Sequence, residues 1–136
     1  MKTSREVVQE WAAAFHGHDA KGAAALYHED AVNHQLAAGE PARGRPAILT
    51  TFENFFRAFP DSYTRVENLF ADGEWVLLEW SGGGTWRGEY GGAQPNGRSF
   101  TLRGCGIFRV VEGRIKTQRG YWDKATWFRQ LGIPIV

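Results

Sequence analysis

The stretch Gly113-Arg-Ile-Lys-Thr-Gln-Arg-Gly-Tyr-Trp-Asp123, followed by an apolar segment from Lys124 to Gly132, decides the fold. It predicts a strand that leaves a tight turn and ends at one acidic residue, followed by a short helix. Asp123 stands at this junction, close in sequence to Tyr121 and Trp127. Its carboxylate has two candidate roles. It caps the helix, since Asp is a favoured N-cap residue, or it is a base in a dry pocket, where desolvation tunes its pKa. The residues alone favour the cap.

The chain ahead of this stretch alternates with a period of two, which predicts a meander of long antiparallel strands. Asp72-Gly73 and Glu112-Gly113 are tight-turn signals. Gly82-Gly-Gly84 predicts a bulge or a sharp bend that curls the sheet. The predicted strands cover residues 62–71, 74–87, 99–111 and 114–122.

The first half of the chain has helical spacing instead. Thr3-Ser-Arg-Glu6 is a capping box, Asp19 is an N-cap signal and Pro46 suits the first turn of a third helix. The third helix carries the most apolar stripe of the protein, which includes Phe52, Phe55, Phe56 and Phe59. A brief extended piece, residues 29–36, precedes it.

Helices segregated to one side of a curved antiparallel sheet predict an α+β fold. If the helices cover the concave face, the result is a cone with one open end, whose inward side chains line a small-molecule site. The length of 136 residues predicts one domain, residues 1–136.

Composition excludes several classes of function. The net charge of +1 gives no reason to expect binding to nucleic acid or to an anionic membrane. No run of apolar residues is long enough to span a membrane, and no apolar leader follows Met1, so a cytoplasmic location is expected. Cys105, the one cysteine, lies in an apolar strand pattern and is interpreted as a buried thiol. Aromatic residues make up 14% of the chain, which favours a pocket lined with rings.

Few side chains suggest chemistry. No phosphate-binding loop and no set of metal ligands is recognised, so neither a metal nor a cofactor is expected. Alternation along the last strand places Arg119, Tyr121 and Asp123 on the face of Ile115 and Thr117. That face is either solvated or lines the pocket. The polar and aromatic groups left as site candidates are Asn33, His34, Trp86, Arg119, Tyr121 and Asp123.

Several short motifs span nearly the whole chain: Asn33-His34, Gly44-Arg45-Pro46, Phe59-Pro60-Asp61, Gly84-Thr85-Trp86, Pro95-Asn96-Gly97-Arg98, residues 109–115, Trp122-Asp123 and Gln130-Leu131-Gly132. In their order and spacing, these motifs together resemble the SnoaL-like group of polyketide cyclases within the NTF2-like superfamily.

The resemblance implies a cone with a deep apolar pocket, often dimeric, without a metal or a redox cofactor. It also implies that Asp123 is the acid/base of an intramolecular aldol closure, and that His34 shapes or polarises the site. The chain departs from the family pattern at three positions. Trp86 stands where the family has His, and Thr117 and Arg119 stand where Glu and Trp are common.

The sequence therefore predicts an enzyme of the cyclase or isomerase type, which performs cofactor-free acid/base chemistry on an apolar, carbonyl-bearing cyclic molecule. Asp123 removes a proton next to the carbonyl, and His34, Asn33 or Arg119 stabilise the enolate. The predicted substrate-binding residues are Asn33, Trp86, Arg119, Tyr121, Phe56 and Phe59.

Two alternatives remain open at this stage. The first is a protein that binds a hydrophobic ligand without turning it over, and the second is a scaffold that binds a partner protein through the convex sheet. A homodimer is expected in any case, because Val76, Leu78 and Trp80 are predicted to form an apolar outer face.

Overall fold

The computed structural model describes residues 1–135, which form four α-helices and six β-strands. A short 3-10 turn, Leu36–Ala38, follows the first strand. In chain order the elements are α1 (Ser4–His16), α2 (Ala20–Ala24), β1 (Tyr27–Gln35), β2 (Ala42–Arg43), α3 (Arg45–Ala58), β3 (Tyr63–Asp72), β4 (Trp75–Thr85), β5 (Ser99–Val111), β6 (Arg114–Trp122) and α4 (Lys124–Leu131).

The strands form one curved, open sheet in the order β2-β1-β6-β5-β4-β3. The predicted α+β architecture, with the helices packed on the concave face, is confirmed. The sheet is not wholly antiparallel, however, because β1 pairs with β6 in parallel. No hairpin connects these two strands, since five other helices and strands lie between them in the chain, and no tight turn therefore fixes their relative direction.

Local capping signals set the helix starts. The Thr3 hydroxyl accepts from the backbone N–H of Glu6, and the Glu6 carboxylate accepts from the N–H of Thr3, which completes the capping box. Asp19 caps α2 through the N–H of Gly22. Tyr27, which follows α2 closely, is the first residue of β1.

The core consists of two clusters of buried side chains. The first joins α1 and α3 to the middle of the sheet, and it contains Val7, Val8, Trp11, Ile48, Phe52, Val76, Leu78, Phe108 and Ile115 among others. The second joins the end of α3 to α4, and it contains Ala58, Phe59, Trp86, Phe100, Leu102, Trp127 and Leu131.

The prediction for the outer face of β4 is wrong. Val76 and Leu78 are 1% exposed and face the helices, whereas Trp75 and Leu77 lie on the convex side. The segment Trp75-Val-Leu-Leu78 is apolar on both faces of the strand, so alternation cannot tell which face is buried. The turn at residues 72–75 decides which face of β4 is buried, since this turn pairs Asp72 with Trp75 and Ala71 with Val76.

The helices of residues 1–135 are all too short or too polar for a membrane span.

Candidate functional site

A cavity of about 160 Å³ opens between the two core clusters, on the concave side of the sheet. Both clusters contribute side chains to its wall, as expected from the layout of the fold. The side chains of its wall are mostly aromatic. The lining residues are Trp11, Phe15, Asn33, Gln35, Thr51, Phe52, Phe55, Tyr63, Thr64, Leu78, Trp80, Gly82, Gly83, Tyr90, Phe100, Leu102, Gly106, Phe108, Gln118, Gly120, Trp122 and Trp127.

A β-bulge in β6 decides which of its side chains reach this cavity. Val110 pairs with Ile115 and Arg109 pairs with Thr117, so Lys116 is the extra residue. Because an inserted residue inverts the alternation beyond it, the inward face changes after Ile115. Gln118, Gly120 and Trp122 face the cavity, and Arg119 and Tyr121 face the convex side.

Three carboxamide side chains form the polar end of the cavity. Gln35 Nε2 donates to Asn33 Oδ1 at 2.8 Å, and Trp122 Nε1 donates to Gln35 Oε1 at 2.9 Å. The hydroxyl of Tyr27, which is fully buried, donates to Gln118 Oε1. Gly120 leaves room for this network, because a Cβ there would overlap the Gln35 carboxamide.

The titratable groups that line the cavity are phenols. Among the described residues that line the cavity, Tyr63 and Tyr90 are titratable, and no carboxylate, imidazole, amine, guanidinium or thiol is present. Burial raises the pKa of the Tyr90 hydroxyl. Tyr90 is therefore a neutral phenol at physiological pH, able to donate and to accept hydrogen bonds.

Asp123 lies outside the cavity wall and caps α4. Its Oδ1 accepts from the N–H of Thr126 at 3.2 Å, and its Oδ2 accepts from the Thr126 hydroxyl at 2.7 Å. These hydrogen bonds hold the pKa of the exposed Asp123 carboxyl below its ordinary value. The carboxylate does not lie in a dry pocket, because the rings of Trp122 and Trp127 face inward while the carboxylate faces water.

His34 and Arg119 are neighbours on the convex side, where β1 and β6 pair. His34 Nε2 is 2.9 Å from the carbonyl oxygen of Gly39, and the Arg119 guanidinium lies 6.0 Å from the ring centre of Trp75. Tyr121 is exposed on the same side. These positions contradict the predicted placement of the three side chains in the pocket. Successive side chains of a strand face opposite sides of the sheet, so His34 points outward because Asn33 points inward. The bulge in β6 turns Arg119 and Tyr121 outward.

The other predicted substrate-binding residues divide between cavity and core. Asn33 lines the cavity. Trp86 is buried in the second cluster, where its Nε1 donates to the carbonyl of Gly88 at 2.7 Å, and Phe59 is fully buried beside it. Phe56 packs half-buried against the first cluster. None of Trp86, Phe56 and Phe59 is a lining residue.

Sequence reasoning missed Gln35 and Gln118, the two carboxamides that accompany Asn33. Gln35 could have been found by alternation along β1, two residues after Asn33. Gln118 could not have been found from the sequence, because its orientation depends on a bulge that no residue type in the sequence marks.

Metal ligands are not grouped in the described part of the chain: no cluster of three or more His, Cys, Asp or Glu side chains is in a position to bind a metal ion.

The sequence model of the SnoaL-like polyketide cyclases matches residues 5–131. No curated protein sequence is similar enough to be matched.

Three solved structures illustrate the structural likeness. IdmH from Streptomyces antibioticus, a proposed polyketide cyclase, is 27% identical, with a TM-score of 0.80 over 97% of this chain and 100% of its own. A proposed SnoaL-like polyketide cyclase from Jannaschia sp. CCS1 is 16% identical, with a TM-score of 0.87 over 97% and 93%. An LEH-like epoxide hydrolase from M. tuberculosis is 21% identical, with a TM-score of 0.75 over 94% and 88%. The last two structures are only 16% and 21% identical to this chain, so their likeness establishes the fold alone.

Proposed function

Because the chain belongs to the SnoaL-like polyketide cyclase family, we propose that its cavity binds an apolar, carbonyl-bearing small molecule and promotes ring closure or proton transfer without a cofactor. The observation that carries this proposal is the cavity itself, which combines a wall of aromatic rings with a compact polar end. An apolar pocket with a few convergent polar groups is the usual form of a small-molecule site.

The cavity contributes to such a reaction in two ways. Its aromatic wall holds a flexible or polycyclic substrate in one conformation, which lowers the entropic part of the barrier to ring closure. Its polar end supplies hydrogen bonds to the carbonyl oxygen, where negative charge develops as the enolate forms.

The base in this proposal is Asp123, the residue that the family resemblance suggests, which directly follows Trp122, a cavity residue. To act as the base, its carboxylate would have to leave Thr126 and turn towards the cavity. His34 would need a similar reorientation, since its ring faces the convex side.

A deuterium-exchange experiment tests the proposed function. In this reaction a base removes an α-proton from a ketone to form the enolate, and a deuteron from the solvent then restores the ketone. We would incubate the protein with 2-tetralone in D2O and follow loss of the α-proton signals by NMR. Exchange faster than in buffer supports the enzyme, whereas the absence of both binding and exchange for a series of cyclic ketones contradicts the proposal.

A second candidate function is binding without turnover. It is favoured by one observation: within the described residues, the cavity wall contains phenols and carboxamides but no strong acid or base. Ketone binding without any exchange above the buffer rate supports this candidate.

Substitutions at Asp123 separate its cap from a catalytic role. We expect Asp123→Asn to leave Tm nearly unchanged, since Asn caps helices about as well as Asp, and Asp123→Ala to lower it. The folded-state pKa lies below the ordinary value of 3.8. The contribution of the charged cap to stability is therefore present above that value and lost as the pH falls through the folded-state pKa. The Tm difference between wild type and Asp123→Ala, measured by circular dichroism, should shrink on acidification.

The exchange assay adds the catalytic readout for the same variants. If Asp123 is the base, Asp123→Asn lowers the exchange rate by about a hundredfold or more while stability stays constant. If exchange is present and Asp123→Asn retains the wild-type rate, Asp123 is a cap alone.

The exposed apolar side chains of the convex face favour a homodimer. Phe70, Trp75 and Leu77 are 61%, 45% and 39% exposed, and Phe70 pairs with Leu77 across β3 and β4. We expect light scattering at micromolar concentration to give twice the 15.3 kDa mass of the chain.

Leu77→Lys should shift this mass towards the monomer, because it places a charge within the apolar face. Val66→Lys is the matched control, since Val66 is also exposed but shares its face with Trp80 on the concave side. A monomeric wild type, or equal effects of both variants, would contradict this interface.

A further inference from the structure

Asn33 and Gln118 place two carboxamides side by side at the polar end of the cavity. They are partners in the parallel pairing of β1 with β6, and both face inward. Each is only 4% exposed. Two buried amides in this position need hydrogen-bond partners for their NH2 groups, because a buried donor without an acceptor is costly.

The orientation of Asn33 follows from the indole of Trp122. An indole N–H can only donate, so the atom of Gln35 that faces Trp122 must be the carbonyl oxygen Oε1. Gln35 therefore turns its NH2 group towards Asn33, and the atom of Asn33 that receives this hydrogen bond must be Oδ1. The hydrogen bonds end at the NH2 group of Asn33, which donates to no acceptor within residues 1–135.

The orientation of Gln118 follows from Tyr27 in the same way. Within the described chain, the one acceptor for the proton of the Tyr27 hydroxyl is the Gln118 carboxamide, since the nearby indole N–H of Trp11 can only donate. If the NH2 group of Gln118 faced Tyr27, the phenolic proton would have no acceptor. Gln118 therefore presents Oε1 to Tyr27 and leaves its NH2 group without a protein partner.

We propose that the NH2 groups of Asn33 and Gln118 form a donor pair that binds an acceptor oxygen of the ligand, namely a carbonyl, enolate or phenolate oxygen. Gln35, Trp122 and Tyr27 are positioning residues, which keep the two amides turned so that donors rather than acceptors face the cavity. This inference rests on the proposed function, since it assigns the polar end of the same cavity.

The donor pair predicts the selectivity of the site. A ligand oxygen with two lone pairs accepts a hydrogen bond from each of the two NH2 groups, and an anionic oxygen does so more strongly than a neutral one. A ligand without any acceptor leaves both donors unpaired. The site should therefore distinguish a ketone from a hydrocarbon of the same shape.

Calorimetric titration of the full chain with 1-indanone and with indane tests this selectivity. For the wild type we expect 1-indanone to bind at least about tenfold more tightly, as two neutral hydrogen bonds allow. Asn33→Leu should bring the two Kd values close together, mainly by weakening the binding of 1-indanone. Thr117→Val, which changes the neighbour of Gln118 on the opposite face of β6, should keep the preference.

Trp122→Phe tests the positioning role while the aromatic wall stays in place. Without the indole donor, Gln35 is free to turn, so the ketone preference should fall by about threefold or more. The infrared stretch of the bound 1-indanone carbonyl gives a second readout that a purely structural role would not move. Its frequency should be lowered in the wild type and should rise in Trp122→Phe and in Asn33→Leu. If Asn33→Leu does not fold, Trp122→Phe alone decides the question.

The outcomes separate this inference from the proposed function. Equal affinities of the wild type for both compounds, or an unchanged preference in Asn33→Leu and Trp122→Phe, overturn the donor pair and leave the small-molecule cavity standing. Failure of both compounds to bind overturns the proposed function and the donor pair together.

Discussion

Replacing Phe59 with alanine is expected to lower the free energy of unfolding by about 3–5 kcal/mol, the usual cost of deleting a fully buried phenyl ring. Phe59 has no exposed surface, and four aromatic rings surround it. The ring centres of Phe55, Tyr90, Phe100 and Trp127 lie 5.1, 5.7, 5.2 and 5.9 Å from its own. Urea denaturation followed by tryptophan fluorescence measures the change.

Phe56→Ala is the matched control, in the last turn of α3 and three residues before Phe59. Phe56 is half-buried, so its truncation removes less apolar contact and should cost clearly less than the truncation of Phe59. A cost below about 1 kcal/mol for Phe59→Ala would show that the second core cluster is not closely packed around this ring.

Gly106→Leu is expected to weaken the binding of a cyclic ketone by about a hundredfold, since the new side chain occupies the cavity. Gly106 lies on the concave face of β5, opposite Leu78 of β4. A Cβ at this position would meet the Phe108 ring at 3.4 Å and the carbonyl oxygen of Arg119 at 3.6 Å, which are ordinary contacts. The backbone can therefore remain in place while the cavity is filled. Titration with 1-indanone measures the affinity.

Gly106→Ala controls for the loss of glycine itself. Its small side chain leaves most of the cavity open, so the affinity should change much less than in Gly106→Leu. Deuterium exchange into 2-tetralone, if present, should fall in parallel with binding. Full ketone affinity in a folded Gly106→Leu protein would place the binding site elsewhere.

Local chemistry in the sequence determined most of the secondary structure. The turn at Glu112-Gly113 and the alternation around it delimit β5 and β6, and both strands have the predicted bounds. The capping residues Thr3 and Asp19 start their helices as predicted. These features could be predicted because each depends on residues that are close in sequence. Helical and strand periods then established the α+β class.

The faces of the strands were decided by the tertiary structure. In β4 the apolar residues occupy both faces, so burial of Val76 rather than Trp75 depends on how the turn pairs β3 with β4. In β6 the bulge at Lys116 exchanges the two faces, and the cavity receives Gln118 in place of Arg119. A shift of one residue turns every later side chain to the other side of the sheet. All site residues that alternation predicts beyond the shift are therefore assigned to the wrong face together.

Asp123 shows the same division at a single residue. Its position between a strand and a helix follows from the sequence, and so does its ability to cap that helix. Whether its carboxylate also reaches a ligand depends on where the ends of β6 and α4 meet the cavity, and there the hydrogen bonds of Thr126 hold it outside. The carboxamides at the polar end of the cavity, in contrast, owe their arrangement to the tertiary structure alone. Gln35 and Trp122 are far apart in sequence, and only the parallel pairing of β1 with β6 brings them within hydrogen-bond distance at the polar end of the cavity.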